Sequence, residues 1–203
     1  MITAYPDNLS LHDARDLYFR NNGFGADGGY DAAWVELQVV GIPTPFPNST
    51  GRKRAVRFHD LHHIATGYGT DWRGEAEISA WEIGAGCERE IVPWQLNLSM
   101  IFVGLLIAPR RTFRAFVRGR RGRSFYGERY EDLMPLTVGE ARERLGTSQP
   151  PSPGRAADFG LFALSAAGGM VAGALSLLIF IPLMPLGILA GVLAKRRAAR
   201  TAT

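Results

Sequence analysis

Three of the four histidines in this chain of 203 residues fall in one short stretch, Phe58 to Glu75, which reads FHDLHHIATGYGTDWRGE. Residues four apart stack on one face of a helix, so His59 and His63 can present two imidazoles to one point. Asp60 stands beside them. Thr66 to Thr70 holds two glycines, is poor helix material and reads as a turn, after which Asp71 is an N-cap for a new helix. Glu75 then lies in that helix's first turns. Two antiparallel helices joined by so short a turn bring Glu75 back opposite the histidine pair. The expected product is a divalent-metal site made of His59, Asp60, His63 and Glu75. Two nitrogens and two carboxylates do not discriminate zinc from iron or manganese, and zinc is the expected ion. An ion with an open position there would act as a Lewis acid.

A histidine pair at this spacing is a loose signal by itself, since an exposed helix can carry it without a ligand; the glutamate at a fixed distance adds to it. His62 lies three residues from His59 and is read as a residue behind the ligands or on the surface. Glu82 shares one side of the second helix with Glu75 and Ser79. It could be a fifth ligand, a partner that orients a histidine, a proton carrier, or a solvated carboxylate. His12, beside Asp13, has no spacing that connects it to the cluster and is expected to be exposed.

The elements that must position these residues are helical. One helix is expected from about Gly51 to Thr66 and a second from about Asp71 to Gly86. Ahead of that pair, residues 9 to 22 carry Leu11, Ala14, Leu17 and Phe19 at helical spacing behind the cap candidate Ser10, and read as a short amphipathic helix. Residues 21 to 29 form a glycine-rich loop. Ala32 to Val40 is helix or strand, ended by Gly41 and three prolines, and periodicity does not decide between them. Residues 126 to 146 are charged and helical, with Thr137 and Glu140 as a capping box and Gly146 as the stop.

The charge is unevenly spread. The net charge is +4, yet seven arginines fall between Arg110 and Arg123 with no acid among them, which leaves about three negative charges to the rest. A single basic stretch directly after the apolar run Leu98 to Ala108 fits anionic lipid head groups better than nucleic acid. Its arginines alternate with Phe113, Phe116 and Val117, the layout of a helix lying on a membrane. Residues 159 to 194 then hold no charge, about 54 Å of helix against a hydrocarbon core of about 30 Å. Pro182, Pro185 and Gly187 divide that run, so the expectation is a helical hairpin, with a single span carrying a tilted or interfacial tail as the alternative. Arg155 at one end and Lys195, Arg196, Arg197 and Arg200 at the other would put both ends in the cytoplasm. Small residues at Gly160, Ala163, Ala166, Ala167, Gly169 and Gly173 suit close helix contact. Cys87 has no partner for an intramolecular disulfide, and MITAYPDNLS, with neither a basic nor an apolar region, is not expected to act as a secretory signal.

The expected fold class is therefore all-α. A compact helical metal-binding domain covers residues 1–147, a Pro/Ser linker 148–157, a transmembrane hairpin 158–197 and a basic tail 198–203. HDLHH, followed by eleven residues and Glu75, also resembles the HDxxH-(x)11-E pattern of the fourth coenzyme Q biosynthesis protein family, with all four positions present. The resemblance runs through GEAEISAWE and on to LTVGEARERLG, roughly residues 50 to 147. It implies a place in ubiquinone biosynthesis, with metal-dependent removal of the C1 carboxyl group from a polyprenylated hydroxybenzoate and, in some versions of the step, hydroxylation there. The implied partners are a polyprenylated aromatic lipid, the membrane, other quinone-biosynthesis proteins and a second copy of the chain. A non-catalytic prenyl-lipid-binding organiser of such enzymes is the alternative. A metal-dependent phosphohydrolase is a third reading, for which the chain offers few further His and Asp ligands. The terminal apolar segment departs from the family pattern.

Overall fold

The computed structural model describes residues 4–39, 42–148 and 153–201. Val40 and Gly41, four residues of the expected linker, 149–152, and the last two of the expected tail lie outside the described residues. Among the described residues the chain is helical apart from one β-hairpin. In order it comprises α1 (Leu11–Asn22), β1 (Trp34–Val39), β2 (Ile42–Pro47), α2 (Thr50–Thr66), α3 (Trp72–Ala85), α4 (Ile91–Ile107), α5 (Pro109–Gly119), α6 (Tyr130–Leu133), α7 (Val138–Leu145) and α8 (Ala156–Thr201).

Local chemistry sets most of these boundaries. Ser10, Ser49, Asp71 and Thr137 each accept a backbone N–H at a helix start, and Thr137 completes its capping box with Glu140. Gly23, Gly67 and Gly146 end α1, α2 and α7 in the left-handed conformation. The undecided segment after the glycine loop is a strand, pairing antiparallel with β2 from Trp34 opposite Pro47 to Val39 opposite Ile42. Pro43, Pro45 and Pro47 sit at alternate positions of β2. N–H directions repeat every two residues in a strand, so all three missing donors point to the same side, away from β1, and the ladder survives.

The core is centred on α3, whose residues Ala76 to Ile83 are all buried. A helix buried on every side carries no polar face to spare. Around it lie Leu61 and Ile64 of α2, Ile101 of α4, Phe116 of α5, and Phe125, Leu133 and Leu145. α3 and α5 cross at two glycines. A Cβ on Gly119 would lie 2.0 Å from the carbonyl oxygen of Trp81, and one on Gly84 2.3 Å from that of Phe116. The starts of α1 and α7 are tied together by Leu11 N–H to Leu136 O (2.7 Å) and Val138 N–H to Leu9 O (2.8 Å).

Two expectations about the second half are corrected. α5 does not offer its apolar side to a surface: Phe116 and Val117 are buried, and Phe113 stacks on Phe159 of α8 with ring centroids 4.4 Å apart. Its arginines are partly structural as well, since Arg111 makes a bidentate pair with Glu77 (2.9 and 2.6 Å). The terminal segment is one helix of 46 residues, not a hairpin, with Pro182 and Pro185 inside it. A proline removes one helix hydrogen bond and can kink the axis, whereas a full turn in an apolar setting would strand several backbone groups at once. As a single helix it carries Arg155 and the basic Lys195 to Arg200 stretch at opposite ends. Residues 156–186 of α8 are long and apolar enough to cross a membrane. Its first half packs along α4: a Cβ on Gly169 would lie 2.8 Å from Leu98 O, and one on Gly173 2.8 Å from the Phe102 ring.

Candidate metal centre

His59 and His63 project from the second half of α2, and Glu75 faces them from the first turn of α3 across the Gly67–Thr70 turn. One ligand atom from each lies within 4.8 Å of the others, which makes this the one such group among the described residues. His59 Nε2 is 3.1 Å from His63 Nε2 and 3.2 Å from Glu75 Oε2, while His63 Nε2 is 3.4 Å from Glu75 Oε1. Ligands about 2.05 Å from a tetrahedral ion stand about 3.3 Å apart. The separations are of that size, with one oxygen of Glu75 facing each imidazole.

The protons point the same way. His63 Nδ1–H donates to the carbonyl of Tyr68 (3.0 Å), an acceptor only, so the proton of the neutral ring is on Nδ1 and Nε2 keeps its lone pair. His59 Nδ1–H donates to Glu82 Oε1 (2.9 Å), which again leaves Nε2 to face the centre. Two lone pairs and a carboxylate converging on one spot repel one another unless a cation or a proton sits between them. Burial opposes a charged imidazole, but Glu82 and Glu75 outweigh it and hold the pKa of His59 well above its ordinary value. Burial likewise pushes Glu75 and Glu82 up, and the imidazoles more than offset this, leaving both well below the usual carboxylate range.

Glu82 is the hub behind the ligands. It is fully buried and accepts four hydrogen bonds: His59 Nδ1 and His62 Nδ1 (2.7 Å) on Oε1, and Asn97 Nδ2 and Tyr126 OH (2.8 Å) on Oε2. Of the four readings open for Glu82, the orienting partner fits. His62 is buried rather than exposed. Its Nδ1 donates to Glu82 and its Nε2 accepts from the Phe125 N–H (2.9 Å), so neither nitrogen is left for a metal. Burial lowers its pKa against the opposing pull of Glu82.

Asp60 does not join the group of three. Successive helix residues point about 100° apart, so Asp60 turns away from His59 towards the segment before β1. There Tyr30 OH donates to its Oδ2 at 2.6 Å. Burial raises its pKa to about 6. His12 sits on the exposed side of α1 beside Asp13 and Asp16. Tyr18, Tyr30, Asn97 and Tyr126 line or support the site without a signal in their spacing, since each comes from a different segment.

The turn between the two metal helices is held from outside. Arg118 donates to Thr66 O (3.0 Å) and to Thr147 O (3.0 Å), and its guanidinium lies 5.4 Å from the Tyr68 ring centroid. A Cβ on Gly74 would lie 2.0 Å from Gly69 O, so the turn rests directly on the first turn of α3. Tyr18 stacks on the His63 ring at 5.8 Å. On the open side, the side chains of Glu75 and His59 are 31% and 19% exposed, which leaves room for a further ligand on a bound ion. Two histidines and one carboxylate are a donor set that zinc and non-haem iron both accept.

Two clefts are present elsewhere. One of about 230 Å³ lies between Tyr30, Asn48 and Arg52, and one of about 610 Å³ lies between α4, α5 and α8; neither is lined by His59, His63 or Glu75. No protein-family profile, no curated protein and no solved structure matches the chain.

Proposed function

We propose that the chain is a membrane-attached, metal-dependent enzyme of ubiquinone (coenzyme Q) biosynthesis that removes the C1 carboxyl group from a polyprenylated hydroxybenzoate. The observation that carries this reading is a three-ligand site, open on one side, in a chain whose last helix is long and apolar enough to cross a membrane. A metal site and such a helix in one chain suit a reactive head group on a water-insoluble tail. A divalent ion held by His59, His63 and Glu75, zinc first and iron or manganese as substitutes, supplies Lewis acidity towards a phenolate or carboxylate oxygen. In the step, the ring carbon gains a proton, its bond to the carboxyl carbon breaks and carbon dioxide leaves. The proton comes from solvent on the open side of the site, because Asp60, held by the Tyr30 hydroxyl, turns away from the ligands. In this reading the seven arginines between Arg110 and Arg123 keep the metal-binding domain on the cytoplasmic side, and α8 carries its far end across the membrane.

Glu75→Gln is the test. In a quinone-deficient host it abolishes product formation while flotation with membranes is unchanged. A second reading is a prenyl-lipid-binding organiser of quinone-biosynthesis enzymes with a structural metal. Persistent product formation by Glu75→Gln would leave that reading standing and remove the enzyme.

A further inference from the structure

The larger cleft is a groove of about 610 Å³ that α8 completes. Its walls are Ile83, Trp94, Leu98 and Phe116 on the domain and Leu161, Leu164 and Val171 on α8. One charged side chain, Arg120, lies in the lining. Arg120 meets Asp158 through Nε at 3.3 Å, and its side chain is 38% exposed. Arg121 reaches the same aspartate, so two guanidiniums share one carboxylate and this end of the groove keeps one net positive charge.

The groove lies against the face α8 turns outwards. Leu164 and Val171 are exposed, and the apolar surface continues along α8 through Leu175, Leu178 and Ile181 and along the end of α4 through Leu106 and Ile107. A wall of that kind is covered by lipid when α8 is in a bilayer. Length agrees with this. From Leu161 to Val171 the helix rises about 15 Å, half of a hydrocarbon core of about 30 Å. The groove is therefore one leaflet long, apolar along its length and basic at the end where α8 begins.

We propose that this groove binds one anionic membrane phospholipid, with its phosphate at Arg120 and an acyl chain between α4 and α8 against Trp94, Leu98, Leu164 and Val171. The site rests on the membrane attachment proposed above and is independent of the metal. A guanidinium recognises phosphate by charge and paired N–H donors, whereas a zwitterionic head group offers the same phosphate with its charge compensated. One basic residue near an anionic surface is worth about a fivefold preference.

The test uses the full chain in vesicles of phosphatidylcholine and phosphatidylglycerol in which only one of the two carries bromine at mid-chain. Brominated phosphatidylglycerol quenches the tryptophan fluorescence more than brominated phosphatidylcholine at equal mole fraction, and Trp94→Phe removes that excess. Arg120→Gln loses the roughly fivefold preference, Arg120→Lys retains most of it, and Arg110→Gln, outside the groove, leaves it unchanged. Gly168→Leu, whose Cβ would sit 3.7 Å from Leu98 Cδ2 and whose side chain would fill the groove, removes quenching by both lipids. Flotation measures attachment separately in each case. Equal quenching by the two lipids, a preference that survives Arg120→Gln, or failure of the chain to enter the vesicles overturns the proposal. Quinone synthesis that persists in Glu75→Gln while quenching is unchanged would count against the enzyme reading alone.

Discussion

At the scale of residues, the site depends on carboxylates held in opposite states. Glu82 is charged and saturated with four donors, so replacing it by glutamine swaps an acceptor oxygen for an amide that faces those donors. Breaking a buried pair of this kind costs about 3 kcal/mol. Glu82→Gln is expected to lose stability of that order in urea denaturation. It should also weaken metal binding by about ten- to a hundredfold, because His59 loses the bond that sets its tautomer. Asp60 behaves in the other sense. Its folded pKa of about 6 lies above the unfolded value, so its contribution favours the fold at low pH and is lost as pH rises from about 4 through 6. In metal-free protein, Asp60→Asn should remove this fall, which amounts to roughly 3 kcal/mol by the size of the shift. Denaturation of both proteins at pH 4 and pH 7 measures it. His59, with its pKa raised in the metal-free site, must give up a proton to bind a cation. Metal affinity should therefore climb with pH by about tenfold per unit below that pKa, as read by competition with a chelator.

Between elements, close approach is decided by glycines. Gly74 lets the turn after α2 rest on α3, and that turn carries the Tyr68 carbonyl that fixes His63. Gly74→Ala should shift the turn and weaken metal binding more than it weakens the fold, whereas Gly119→Ala should do the reverse. A methyl group at Gly119 forces α3 and α5 apart at a buried crossing, a strain of about 1–3 kcal/mol. Paired measurements of melting temperature and metal affinity separate the two. The helices and their caps were legible in the sequence, because Ser10, Asp71 and the Thr137–Glu140 box act within four residues of their targets. The crossing at Gly84 and Gly119 was not, since a glycine that permits contact looks like one that permits a turn.

For the whole molecule, α8 is part of the fold rather than a leash. Gly154 meets the Phe113 ring, Phe162 packs near Phe116 and Phe113, and Ser99 and Ser176 share a hydrogen bond of 3.0 Å. A chain ended after Ser148 would uncover Leu98, Phe102 and Phe113 together. It should aggregate in detergent-free buffer and elute in the void of a sizing column, while a simple tethered domain would elute as a compact monomer.

The residues His59, His63 and Glu75, their spacing and the two helices that carry them were determined by the sequence alone, because i to i+4 stacking and a short turn leave few other arrangements. The apolar character of residues 159–194 was fixed there too, by composition. Tertiary structure decided that Asp60 serves Tyr30, that Glu82 and His62 are buried behind the ligands, and that α5 spends its apolar side on α3 and α8. Those outcomes depend on which segments meet across twenty or more residues, and side-chain direction at such contacts is set by packing. The proline pair in α8 belongs to the same class: whether a helix bends, breaks or continues there depends on what surrounds the freed carbonyls, which no local pattern records.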